Sequence, residues 1–66
     1  MEILLNDTPV ILASPLLSLV IDSYCVGKTA GVAVAVNHQV IPKSQWANTE
    51  LKEHDQVIII RATQGG

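Results

Sequence analysis

Phenylalanine is absent from this 66-residue chain, and Tyr24 and Trp46 are its only aromatic residues. Leucine, isoleucine and valine must therefore fill the core of what the length predicts to be one small domain. The single cysteine, Cys25, cannot form an internal disulfide, which excludes a disulfide-stabilised secreted scaffold. The longest apolar run, residues 32–36, is far shorter than the roughly 20 residues that a membrane span needs.

Basic residues are also few. Four Lys and Arg residues against six Asp and Glu residues give a formal net charge of −2, and the basic residues are scattered along the chain. Because a nucleic-acid-binding surface needs a basic patch or stripe, we expect no nucleic-acid partner. The first residues include Glu2 and no basic cluster, which is not typical of a secretory signal. We therefore expect a cytoplasmic protein that binds neither nucleic acid nor membrane.

The residue patterns that carry catalysis or bind cofactors are missing from the sequence. There is no glycine-rich phosphate-binding loop and no visible pair of a nucleophile and a base. Cys25, His38 and His54 are isolated from one another, which does not fit the spacing of a metal site. We interpret Cys25 as a small core residue, His38 as an exposed turn residue, and His54 with Asp55 as a pair that shapes a loop. The sequence therefore predicts no catalytic residue, no bound cofactor and no metal site.

The first twelve residues predict a β-hairpin. Two short apolar runs flank Asn6 and Asp7, and both residue types tolerate turn conformations. Pro9 lies in the second run. Because proline cannot donate to a β-ladder, we expect the second strand at an edge of the sheet.

The stretch SPLLSLVIDSY, residues 14–24, predicts an α-helix. Ser14 suits the N-cap and Pro15 suits the first helical position. Gly27 fits a left-handed residue just past the helix end. A period of 3.6 residues gives the helix one apolar face, which carries Leu17, Val20, Ile21 and Tyr24.

The second half of the chain predicts three strands. Residues 32–36 alternate valine and alanine, which is typical of a strand with large side chains on one face. A turn and a short strand ending at Pro42 follow, and this proline again indicates an edge. Residues 43–51 predict turns or a short 3₁₀ segment anchored by Trp46 and Leu51. The apolar run at 57–62 is typical of a strand that has neighbours on both sides.

The element order β-β-α-β-β-β predicts an α+β fold with one helix packed on one face of a mixed sheet. This order matches the ubiquitin-like β-grasp, with five strands in the order 2-1-5-3-4. We expect residues 1–62 to form the domain and residues 63–66 to form a flexible tail that ends in a diglycine. Strand alternation predicts the core side of the sheet, which carries Ile3, Leu5, Val32, Val34, Val36, Val57 and Ile59.

The other side of the sheet is predicted to stay open, because the sequence has no second helix to cover it. Its predicted side chains are Leu4, Ala33, Ala35, Ile58 and Ile60. An apolar patch of this kind usually marks a partner surface, so we expect these residues to bind partner proteins, with Arg61 at the rim. Coverage by the segment around Trp46 and a homodimer interface are the alternatives.

The chain ends in Gly65 and Gly66, which present a carboxylate with no side chain beside it. Residues 63–66 can extend roughly 13 Å at about 3.3 Å per residue, enough to enter a narrow channel in a partner. A carboxylate becomes a good acyl donor once it is joined to a nucleotide phosphate. The simpler alternative is an ordinary frayed terminus.

Four segments occur together along nearly the whole chain, namely MEILLND, GVAVAVNHQVIPKSQW, LKEHDQVIII and the final GG. Together they resemble the ThiS family, the sulfur carrier proteins of thiamine (thiazole) biosynthesis. The resemblance implies that a ThiF-like activating enzyme adenylates the Gly66 carboxylate with ATP, and that a sulfur donor then converts it to a thiocarboxylate. A ThiG-like thiazole synthase would take the sulfur, so the chain would be a protein substrate and not an enzyme. One departure is His54-Asp55, since the family often has Gly-Asp there.

Three other kinds of protein share these features. A small subunit of molybdopterin synthase would have the same fold and tail, although the Asn turn and the V-x-P-x-x-x-W segment favour the thiamine branch. A ubiquitin-like modifier would be joined through Gly66 to lysines of other proteins. A ubiquitin-like interaction domain would dock on a partner without needing Gly65 and Gly66.

Overall fold

A computed structural model describes residues 1–25 and 30–61. The strands and the helix are β1 (Glu2–Leu5), β2 (Thr8–Ile11), α1 (Leu17–Cys25), β3 (Val32–Val36), β4 (Gln39–Val40) and β5 (Gln56–Arg61). A 3₁₀ segment, Lys43–Asn48, connects β4 to β5. The strands form a single sheet in the order β2-β1-β5-β3-β4, and this confirms the predicted β-grasp topology.

Two tight hairpins form the outer parts of the sheet. In the β1–β2 hairpin the turn residues Asn6 and Asp7 have φ of 49° and 67°, and in the β3–β4 hairpin Asn37 and His38 have φ of 50° and 71°. Positive φ at both central residues is what a type I′ turn requires, and its twist matches that of the flanking strands. Pro9 lies in β2 at the sheet edge, as predicted.

The last strand, β5, lies in the middle of the sheet. It pairs in parallel with β1 and in antiparallel with β3. Both of its main-chain edges are therefore occupied at its N-terminal end, which confirms the prediction of a strand with neighbours on both sides.

The core lies between the sheet and α1, and the predicted core side of the sheet is confirmed. Its residues are either buried or packed against the buried cluster. The buried members of the core are Ile3, Leu17, Val20, Ile21, Cys25, Val34, Trp46, Leu51, Val57 and Ile59.

The prediction that Tyr24 belongs to the core face of the helix is wrong. Tyr24 is 44% exposed, while Cys25 is buried as expected for a small core residue. The Tyr24 hydroxyl accepts a hydrogen bond from the side-chain amide of Asn6 at 2.9 Å. Burial of the Tyr24 ring would separate its hydroxyl from this partner and leave the hydroxyl without a hydrogen bond, so the ring stays at the surface.

The helix begins at Leu17, two residues later than the predicted first position at Pro15. The reason is a main-chain pairing with a distant segment. Leu17 N–H donates to the Thr49 carbonyl oxygen at 3.0 Å, and Leu51 N–H donates to the Pro15 carbonyl oxygen at 2.7 Å. Ser14 still accepts a hydrogen bond, from Leu16 N–H at 3.4 Å, but at a turn before the helix.

The predicted place of Pro42 at the end of an outer strand is also wrong. β4 ends at Val40, and Pro42 immediately precedes the 3₁₀ segment. The Ile41 carbonyl oxygen accepts a hydrogen bond from Trp46 Nε1 at 2.9 Å, so the chain turns here to bury the indole. Trp46 is buried in the core beside the helix, which excludes it as a cover for the other face of the sheet.

Candidate functional site

The side of the sheet turned away from α1 carries a continuous set of apolar residues, which we call the open face. Its register places Ala35 opposite Ile58 and Ala33 opposite Ile60. Directly opposed residues share one face of a sheet, so these pairs lie side by side. The open face consists of the apolar residues Leu4, Pro9, Ile11, Ala33, Ala35, Val40, Ile58 and Ile60, and the polar residues Glu2 and Gln56 lie on the same side.

Several side chains of the open face are well exposed. Ile60 is 61% exposed and Val40 is 72% exposed, while Leu4 at the other end is 37% exposed. Two alanines lie between these larger residues, so the surface dips into a shallow apolar depression lined by both alanines, Val40, Ile58 and Ile60. A depression floored by small side chains lets a partner approach the main chain of the sheet closely. The structure thus brings together all five apolar residues that the sequence assigned to this face.

Arg61 lies elsewhere. It ends β5 opposite Val32, whose side chain packs against the core. Because alternate residues of a strand point to opposite faces, Arg61 is on the helix side of the sheet while Ile60 is on the open face. Arg61 is exposed where β5 ends, but the register separates it from the apolar residues it was expected to flank.

A second depression lies at the opposite end of the open face and was not predicted. Its lining consists of Glu2, Ile3, Leu4, Pro9 and His54. The signal for it was present in the sequence, because a two-residue turn fixes the hairpin register and so places Pro9 opposite Leu4. Glu2 and His54 give this end of the face a polar border.

Asn6 connects the first hairpin turn to β5. Its side-chain Oδ1 accepts from Ile59 N–H at 2.8 Å, and its Nδ2 donates to the Ile59 carbonyl oxygen at 3.2 Å. Its own N–H donates to the Val57 carbonyl oxygen at 2.9 Å. Together with the contact to Tyr24, Asn6 holds β5 on the side where β1 has already ended. The sequence indicated Asn6 only as a turn residue.

Asn37 likewise binds β5 through its side-chain amide, at the start of the strand. Its Oδ1 accepts from Gln56 N–H at 2.9 Å, and its Nδ2 donates to Asp55 Oδ1 at 3.0 Å. Asp55 Oδ2 also accepts from Lys52 N–H at 2.8 Å. The predicted role of His54 and Asp55 in shaping this loop is therefore confirmed, since His54 N–H donates to the Glu2 carbonyl oxygen at 2.7 Å.

The remaining expectations concern chemistry and the tail. Across residues 1–25 and 30–61, no three His, Cys, Asp or Glu side chains come together as a metal site would require. No helix in the described part of the chain is both long and apolar enough to cross a membrane. His38 is exposed in its turn, as expected. Gly27 and the tail, including Gly65 and Gly66, lie outside the described residues.

Three comparisons with known proteins each give a match. The ThiS family profile matches residues 4–66. The sulfur carrier protein ThiS of Escherichia coli (strain K12) is 36% identical over 39 residues, which span 59% of this chain and 59% of that relative. The crystal structure of the thiamine biosynthesis protein ThiS from Geobacter metallireducens superposes with a TM-score of 0.80 over 100% of both chains, at 22% identity. At that identity the structural match supports the fold.

Proposed function

The chain belongs to the ThiS family, and we propose that it is a sulfur carrier protein of thiamine biosynthesis. The observation that carries this proposal is the family match, which continues through β5 to residue 66. The E. coli relative is named a sulfur carrier, and the open face offers an apolar surface on which enzymes can dock. In this role the chain is a protein substrate that partner enzymes modify.

The proposed chemistry takes place on the Gly66 carboxylate as the terminal group of the working chain. A carboxylate oxygen attacks the α-phosphate of ATP in the activating enzyme, and pyrophosphate leaves. The resulting acyl adenylate is attacked at its carbonyl carbon by hydrosulfide that the sulfur donor supplies, AMP leaves with the bonding electron pair, and the hydrosulfide proton is released. The product is a thiocarboxylate, from which an enzyme of the thiazole synthase type takes the sulfur. None of these steps needs a catalytic side chain on the carrier.

In this proposal the open face and the tail have separate roles. The open face binds the activating enzyme and the sulfur acceptor, while the domain of residues 1–62 presents the tail of residues 63–66. Five residues follow Arg61, and they can reach about 16 Å at roughly 3.3 Å each. A partner bound on the open face could therefore receive Gly66 in an active site well away from the docking surface. The compartment in which this takes place is, we propose, the cytoplasm.

Intact-mass analysis tests the proposed function. The chain is incubated with ATP, a sulfur source and a ThiF-type activating enzyme from the same organism, and we expect the mass change of one oxygen replaced by sulfur at Gly66. Gly66→Val or a residue added after Gly66 should prevent loading, because a displacement of about 1 Å at a reacting group can lower the rate on the order of 100-fold.

A removable extension provides the matched control. Loading should return when a protease cuts the extension off after Gly66, since the fold is unchanged throughout. Loading of the extended chain at the normal rate would contradict the mechanism. Recovery of Gly66 joined to lysines of other proteins would instead indicate a ubiquitin-like modifier.

A further inference from the structure

The end of β5 is held differently on its two sides. On one side, β3 pairs with β5 as far as Arg61. On the other side, β1 pairs only with Gln56 and Val57 and then turns away at Asn6. Within the described chain, the place beside Ile59 that a further β1 residue would fill is taken by the Asn6 side chain. A primary amide carries one acceptor and one donor group in a plane, and so it can replace a peptide group of a neighbouring strand.

The distances support this replacement. The Asn6 amide pairs with both the N–H and the carbonyl oxygen of Ile59, at 2.8 and 3.2 Å. The second Nδ2 proton goes to the Tyr24 hydroxyl at 2.9 Å, which fixes the orientation of the amide. Ile59 itself is 5% exposed. The main chain that the Asn6 amide binds therefore belongs to a residue whose side chain is held in the core.

We infer that Asn6 is a positioning residue for the tail, because its amide holds β5 in the sheet through Ile59 and so fixes the point from which residues 62–66 leave it. This inference rests on the proposed function. Without the amide, the C-terminal half of β5 would be held by β3 alone. The C-terminal half of β5 would then be less ordered in the free protein, and it would have to become ordered each time the tail enters a partner.

The expected size of the effect follows from chain entropy. Ordering one additional residue lowers the population of the productive arrangement by a factor on the order of ten. The open face is unchanged, so docking should be unaffected. We therefore expect removal of the amide to lower kcat for thiocarboxylate formation about tenfold, with little change in KM.

The decisive variant is Asn6→Gly, and Asn37→Gly is its matched control. Both asparagines have φ close to 50°, so glycine keeps each turn while it removes the side-chain amide. Both amides bind β5, but Asn37 holds Gln56 at the start of the strand, away from the tail. We expect Asn6→Gly to lower kcat and Asn37→Gly to leave kcat near the wild-type value, at comparable losses of stability.

Two further measurements separate positioning from a general loss of stability. Amide hydrogen exchange should become about tenfold faster at Ile59 in Asn6→Gly and at Gln56 in Asn37→Gly, since each loses its acceptor. Asn6→Asp should restore part of the kcat, because one carboxylate oxygen still accepts from Ile59 N–H. The other oxygen replaces Nδ2, so the bond to Tyr24 must reverse, with the Tyr24 hydroxyl as the donor. The same oxygen also faces the Ile59 carbonyl, so the rescue should be incomplete.

The outcomes distinguish this inference from the function it rests on. Equal loss of kcat in Asn6→Gly and Asn37→Gly, or normal loading of Asn6→Gly, would overturn the positioning role while the sulfur carrier function stands. A wild-type chain that the activating enzyme fails to load would overturn the proposed function and this inference with it. Reduced kcat for Asn6→Gly alone, with unchanged KM and partial rescue by Asn6→Asp, is the expected result.

Discussion

His54 donates its main-chain N–H to the carbonyl oxygen of Glu2 at 2.7 Å, and this contact joins the loop before β5 to the start of β1. His54 adopts the left-handed conformation, with φ of 71°. A residue with a β-carbon loses roughly 1 kcal/mol in this conformation. The contact uses main-chain atoms alone, so the imidazole is not needed for it. This geometry explains why a glycine would suit the position.

The first prediction is that His54→Gly stabilises the protein. Glycine removes the left-handed strain, although its greater freedom in the unfolded chain offsets part of the gain. We expect a net increase of about 0.5 kcal/mol in the free energy of unfolding, and an increase in Tm of about 2 to 4 °C. Urea titration and thermal melting measure both quantities.

Lys52→Gly is the control for this prediction. Lys52 is exposed in the same loop but is not among the residues with positive φ. Glycine there should lower stability by about 0.5 to 1 kcal/mol, because it adds only freedom in the unfolded chain. If both variants are destabilised equally, the left-handed conformation of His54 carries no strain.

The second prediction concerns Asp55, whose two carboxylate oxygens accept from two different donors. Oδ1 accepts from the Asn37 amide and Oδ2 accepts from Lys52 N–H. Asparagine has only one side-chain oxygen, so Asp55→Asn must place its NH₂ group against a donor. We therefore expect Asp55→Asn to be as destabilising as Asp55→Ala, by about 1 to 3 kcal/mol.

A double-mutant cycle checks this arrangement. Asn37 cannot simply rotate to relieve Asp55→Asn, since its own oxygen accepts from Gln56 N–H. The effects of Asp55→Ala and Asn37→Gly should be less than additive by about 0.5 kcal/mol or more. Additive effects, or an Asp55→Asn variant as stable as the wild type, would show that the pair is not coupled.

The features that sequence pattern predicted are those set by local periodicity. The valines of β3 and the apolar run of β5 fixed both faces of the sheet, because strand alternation has no other solution once one face is buried. Pro9 indicated the edge strand through its missing N–H. Trp46 and Leu51 were predicted to anchor residues 43–51, and both are buried.

The features that sequence pattern missed depend on partners far away in the chain. The start of α1 is shifted by pairing with residues 49–51, and no local signal around Ser14 and Pro15 contains that information. Asn6 and Ile59 are 53 residues apart, so the turn residue gave no hint of its second role. Tyr24 was misassigned because helical period alone cannot say that its hydroxyl has a surface partner.

The third prediction is that Trp46→Phe is folded but less stable by about 1 to 3 kcal/mol. Phenylalanine fills most of the buried site but lacks the indole N–H that donates to the Ile41 carbonyl oxygen at 2.9 Å. Denaturant unfolding followed by far-UV circular dichroism measures the loss. Trp46→Ala should unfold much more readily, because it also leaves a large cavity. A Trp46→Phe variant as stable as the wild type would mean that the hydrogen bond contributes nothing to folding.

The last prediction places the docking surface. Ile60 is 61% exposed on the open face, so Ile60→Glu should change folding stability by no more than about 1 kcal/mol. A partner seated on the open face would have to bury the new carboxylate without a counter-charge. We expect binding of the activating enzyme to weaken about 100-fold or more, measured by isothermal titration calorimetry. Leu19→Glu is the matched control.

Leu19 is 50% exposed on α1, on the other side of the sheet, and its replacement introduces the same charge on a similar apolar side chain. Leu19→Glu should therefore bind with wild-type affinity. If Ile60→Glu binds normally and Leu19→Glu does not, the partner docks on the helix side, where Val10, Leu12 and Leu19 line a groove beside the edge strand. Loss of binding in Ile60→Glu alone shows that the partner docks on the open face, because both variants carry the same added charge and only its position differs.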